Sequence, residues 1–159
     1  MASEPNLRVL EPSRKAPQNG DVFTLSPAPN TFLFGRVVAA DAAVGPMAAV
    51  MIYIYDAILS DATVPAPERL TPTHLLLPPL LTNRLPWSRG YFKTLRRSGL
   101  QPEDTLSVHC FRDSRGRFHD EHSRLISGPI EPVGQWALQS FRTVDDAVSD
   151  ALGIPRAPD

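Results

Sequence analysis

Val50-Met51-Ile52-Tyr53-Ile54-Tyr55-Asp56-Ala57 is the stretch on which the fold turns. It is rich in β-branched and aromatic side chains and too short for a typical helix, so it reads as a strand. Apolar residues occupy both its odd and its even positions. Successive strand side chains point to opposite faces, so both faces of this strand need a cover. Upstream, Thr31 to Ala40 repeats the pattern, with Gly35 marking a bulge or a close-packing point. Asp21 to Ser26 is a third strand, bounded by Asn19-Gly20 before it and Pro27-Ala28-Pro29-Asn30 after it. Three such segments joined by short links predict an antiparallel meander or the wall of a small barrel.

Downstream the pattern loosens. Pro65-Ala66-Pro67 is a rigid spacer, and Pro78-Pro79 interrupts the leucine run from Leu75 to Leu81, which excludes a continuous helix there. Thr105 to Arg112 alternates as a half-buried strand with Leu106, Val108 and Cys110 on one face. Asp113-Ser114-Arg115-Gly116 is a hairpin turn, Arg117-Phe118-His119 starts a returning strand, and Gly134 to Phe141 offers one more. The clearest helix comes last. Thr143 is a capping residue with Asp146 three positions on, and Val144, Ala147, Val148, Ala151 and Leu152 fall on one face before Gly153 and Pro155 stop it. The expected fold class is therefore α+β, mainly β: an antiparallel meander, or a small SH3-like partly open barrel, with a short C-terminal helix.

Composition narrows the function. The 159 residues suit one domain, with residues 1–18 as a flexible, proline-bearing arm, 19–154 as a single β-rich unit and 155–159 as a tail. Seventeen prolines are about double the usual ~5%, which favours short strands over long helices. Sixteen basic against seventeen acidic residues leave a net charge of −1, without the bulk field that nucleic acid demands. The single Cys110 excludes a disulfide framework or a multi-cysteine metal site. No basic-then-apolar leader and no span of ~18 apolar residues is visible, so the expected compartment is the cytoplasm, away from any membrane.

Enzyme signatures are thin. His109 and Cys110 are neighbours on a strand and so point apart, which prevents a mutual dyad. His119-Asp120-Glu121-His122 lacks the further ligands that zinc requires. No glycine-rich nucleotide loop or serine elbow occurs, and no cofactor is implied. Asp21, Asp56, Asp104 and Glu121 sit at strand ends, where acids commonly keep edges soluble. An enzyme would need one pocket gathering groups such as His109, Arg36 and Asp56.

The most informative segment is Asn83 to Gly99. Arg84, Arg89, Lys93, Arg96 and Arg97 carry five positive charges with no acid between them, interleaved with Trp87, Tyr91 and Phe92. Arginine and large aromatics are enriched at interaction hot spots. Three readings stand: a protein-binding surface, a single-strand nucleic-acid platform stacking bases on Trp87 and Tyr91, or aromatics in the core with cations solvating the loop. The binding residues expected are Arg84, Trp87, Arg89, Tyr91 and Lys93, with Trp87 and Tyr91 as anchors and no catalytic or metal-binding residues.

An ordered series of weak motifs adds to this. Gly20-Asp21-Val22-Phe23, Phe34-Gly35-Arg36-Val37-Val38, Tyr53-Ile54-Tyr55-Asp56, Pro78-Pro79, Trp87 to Phe92, His109-Cys110-Phe111 and Trp136 with the final helix run in sequence. Together they resemble the immunity protein 26 family of bacterial polymorphic toxin systems, from about Gly20 to Leu152. The resemblance implies a mainly β protein that binds and neutralises a cognate toxin. It carries no catalytic residues. Gly20 to Phe23 is also similar to the first strand of toxin ribonucleases with SH3-like barrels, a hint about fold alone.

Overall fold

The computed structural model describes residues 4–159, so the first three residues of the arm lie outside it. Five strands make the main sheet: β1 (Val22–Ala28), β2 (Thr31–Val44), β3 (Met47–Leu59), β4 (Leu80–Thr82) and β5 (Lys93–Arg96). Their spatial order is β4-β3-β2-β1-β5, and every pairing is antiparallel. The meander alternative therefore holds, and the sheet stays open instead of closing into a barrel. Both long strands overrun the expected bounds because a two-residue loop at Gly45-Pro46 closes them, with Val44 opposite Met47.

The two-sided apolar pattern of β2 and β3 has the consequence foreseen for it. Phe34, Val38, Met51, Tyr53 and Tyr55 build one core, and Phe23, Leu33, Val37, Ile52 and Ile54 build another on the opposite face. Gly35 lies between them as a close-packing point. A Cβ there would sit 2.6 Å from the Tyr53 carbonyl oxygen and 2.4 Å from Phe23 Cζ.

The first core is covered by a second sheet of β6 (Cys110–Arg112), β7 (Phe118–His119), β8 (Leu125–Ile126) and β9 (Val133–Gln135), ordered β8-β7-β6-β9. The strand expected over 105–112 shrinks to its last three residues. Leu106 still packs on the core and Cys110 is buried, but Val108 is exposed, because the chain there runs as a loop. The expected 134–141 strand likewise survives only as β9, which pairs in parallel with β6.

The second core is covered by α1 (Leu85–Ser88) and α2 (Phe141–Leu152). Ser140 caps α2, accepting the Thr143 N–H, so Thr143 lies inside the helix and is not its cap. Gly153 ends it as foreseen, at φ 70°. The buried stripe is turned from the expected one: Val144 and Val148 are joined by Asp145 and Ser149, while Ala151 is exposed. The arm causes that turn. Asp145 is fully buried, and its two carboxylate oxygens accept the N–H groups of Leu7 and Asn6, each at 2.9 Å. Leu7 is buried beside them, so residues 4–18 are tied to the body in place of the loose arm that composition suggested.

Candidate interaction surface

The segment after β4 is built on a single buried ring. Pro86 sits in the first turn of α1, where its missing N–H costs nothing, and the turn drives Trp87 inward. Trp87 is 2% exposed and meets Phe23 and Phe92 edge-on, with ring centroids 5.4 and 5.1 Å apart. Phe23 and Phe92 stack at 4.5 Å. Trp87 is thus a core residue in the free protein. The arm crosses directly above: Leu10 and Glu11 both donate N–H to the Gly90 carbonyl, and Ser13 donates to that of Trp87. Gly90 adopts φ 87°, and a Cβ there would meet Pro12 N at 2.7 Å, so the crossing requires glycine.

With the aromatics below, the cations stand outside. Arg84 and Arg89 are exposed, and Leu85 between them is 40% exposed. Tyr91, half-buried, stacks on Phe141 at the start of α2, with centroids 5.0 Å apart. The Arg89 guanidinium carbon lies 5.6 Å from the centre of the same ring. Lys93 Nζ approaches Glu11 Oε2 at 3.5 Å. Arg97 approaches the buried Asp21 at 3.8 Å, and Arg96 is exposed. Along this ridge, residues 84–93, Arg89 and Tyr91 meet on Phe141, Arg84 is exposed beside Leu85, and Lys93 turns to Glu11 of the arm, while Trp87 lies inside. Sequence reasoning missed Leu85 and Phe141. The first is an ordinary leucine, and the second lies fifty residues further on, where only the fold brings it to Arg89 and Tyr91.

Of the groups that an enzyme would need, His109 and Arg36 both neighbour Tyr53, which stands opposite Arg36 in the sheet, while Asp56 is set apart on the surface. The Tyr53 hydroxyl accepts the Leu106 N–H at 2.9 Å and lies 2.6 Å from His109 Nε2. The other ring nitrogen of His109, Nδ1, lies 2.6 Å from Glu121 Oε2. This Tyr-His-Glu line looks like a relay, but Tyr53 is fully buried, and burial pushes its hydroxyl up to about 12. A nucleophile needs the opposite shift. The line acts as a brace between β3, the loop before β6 and the β7–β8 loop. Arg36 pairs with Asp104 at 3.5 Å, and Asp56 is exposed. None of the main surface clefts is lined by His109, Arg36 or Asp56.

His119 and His122 also part company. His119 turns inward, with Nε2 2.9 Å from Asp113 and its ring stacked on Trp136 at 4.1 Å. His122 stays near the surface beside Glu121. Asp113 accepts from His119, and that bond first, then the Arg117 and Arg115 N–H groups, holds its carboxyl well below the usual range.

The family model described as Immunity protein 26 matches residues 18–120, more than half of the chain. The chain belongs to the immunity protein 26 family. An immunity role in general follows from that membership, and it points away from catalysis. The match includes the main sheet, α1, β6 and β7. The arm, β8, β9 and α2 of this immunity protein fall outside it, so Asp145 and Phe141 lie beyond the matched region while touching the ridge or the arm. No curated protein and no solved structure matches the chain. Among the described residues no helix is long and apolar enough to cross a membrane.

Proposed function

We propose that this immunity protein works without catalysis, in the cytoplasm, by binding a cognate polymorphic toxin through the ridge of Arg84, Arg89, Tyr91 and Lys93. The observation that carries the reading is the ridge itself: a run of cations with no acid in its sequence, exposed around Leu85 and fixed from beneath by Trp87. Tyr91 and Arg89 are already held against Phe141, so little side-chain freedom is lost when a partner docks. Cations on such a surface steer encounter with an acidic face and pair with its carboxylates. Apolar contact from Leu85 and Tyr91 supplies the desolvated centre that hot spots require.

The test is co-expression with the product of the neighbouring gene, followed by recovery of the tagged protein. One stoichiometric partner, toxic when expressed alone and silenced by this chain, is the expected result. A folded protein that captures no such partner and protects no cell contradicts the reading.

A further inference from the structure

The main sheet has two edges, and only one is closed. Outside β4, Gln139 donates its N–H to the Leu81 carbonyl at 2.7 Å, and Thr82 Oγ1 donates to the Gln139 carbonyl at 2.8 Å. Outside β5 nothing comparable occurs. Beyond its ladder with β1, no main-chain group from Lys93 to Arg97 makes a hydrogen bond among the described residues. An open edge is a template for another strand, and proteins blunt such edges with charge. Here Lys93, Arg96 and Arg97 supply it, with Thr94 exposed among them. That charge repels a second copy of the same edge and favours a strand of opposite sign.

The neighbouring arm shows which group the edge accepts. A groove of about 270 Å³ separates β5 from the arm, lined by Lys15, Lys93 and Arg97 together with the acids Glu11 and Asp21. Asp21 is buried and occupied with the Gln18 N–H and Arg97. Glu11 differs: its side chain is 64% exposed and rests on Lys93 as a loosely held carboxylate.

We propose that the toxin contributes an acidic, extended segment that adds to β5 as a sixth strand. Its main chain pairs with Lys93–Arg96, and its carboxylates displace Glu11 from Lys93 and engage Arg96 and Arg97. Strand addition of this kind takes affinity from main-chain bonds and specificity from side chains on alternate positions. Four paired residues span about 13 Å at ~3.3 Å each. The inference rests on the ridge as the toxin-binding surface and names the form of the partner that meets it.

The test uses the full chain and a labelled eight-residue peptide of alternating Glu and Val. A second peptide carries the same charges with two valines replaced by proline, which removes main-chain donors without changing the field. Expected are salt-dependent binding of the first peptide, slowed amide exchange from Thr94 to Arg97, and loss of binding with the proline version. R96E or R97E should weaken binding about threefold to fivefold, the range of one exposed ion pair. E11Q should tighten it about twofold by freeing Lys93. Equal binding of both peptides, unchanged exchange along β5, or a stable dimer of the chain through this edge would each overturn the inference. Cell protection separates it from the reading beneath. If R84E/R89E abolishes protection while the peptides do not bind, strand addition fails and the ridge stands. If that variant still protects, the ridge itself fails.

Discussion

Replacing Trp87 by alanine separates the two roles that its sequence context suggested. The ring is 2% exposed and is held edge-on by Phe23 and Phe92. Deleting such a ring costs about 3–5 kcal/mol, from lost burial and the cavity left behind. Domains of this kind have only about 5–15 kcal/mol in total. At about 2–4 °C per kcal/mol for this chain length, the melting temperature should fall by about 6–20 °C. Trp87→Phe keeps most of the packing and removes an indole N–H that finds no hydrogen-bond partner, so it should cost only about 1–2 kcal/mol. Urea unfolding followed by far-ultraviolet circular dichroism reads both variants. Toxin affinity, measured where each variant is still folded, should change little. A W87A protein that melts within about 2 °C of wild type yet loses toxin binding would refute the core placement and restore Trp87 as a surface anchor.

Three further perturbations test the frame around the ridge. Gly35→Ala places a methyl against the Tyr53 carbonyl and Phe23, and should destabilise by about 1–3 kcal/mol in urea titration; an unchanged midpoint contradicts the packing. Asp145→Asn sets an amide NH₂ against one of two main-chain N–H donors, costing about 1–3 kcal/mol, and amides at Asn6 and Leu7 should exchange faster while β2 stays protected. At high pH, the Tyr53 hydroxyl is pushed up to about 12 by burial, against about 10 in the unfolded chain, and Tyr55 moves the same way. The unfolded chain sheds protons first, so stability should fall as pH rises from about 10 to 12. Phenolate absorbance for two tyrosines should appear only with unfolding; their titration in a native-like protein refutes this.

The meander was legible because Thr31 to Ala40 and Val50 to Ala57 are apolar at every parity, a pattern with few other uses. The second sheet was not. Its strands have two or three residues, and β6 meets β9 in parallel across twenty intervening residues that also hold β7 and β8, a pairing without local signal. The burial of Asp145 was not legible either, because nothing near it in sequence announces that Asn6 and Leu7 will dock on it. Trp87 sat among arginines, and the interleaving is the same for a hot spot as for a loop pinned through its aromatics. Only the path of the chain, with Pro86 turning the ring inward, separates them. Arg84, Arg89 and Lys93 needed no such context, since a cation-rich loop over a packed ring keeps its charges in water.

The central claim is that the ridge binds the toxin, and its most direct test is affinity for the purified cognate toxin after reversing three ridge charges. R84E/R89E/K93E should keep its fold, bind between about threefold and a hundredfold more weakly and show a shallower dependence on salt, since each lost pair contributes about 0.2–1 kcal/mol. Wild-type affinity and an unaltered salt slope in that folded variant would contradict the claim.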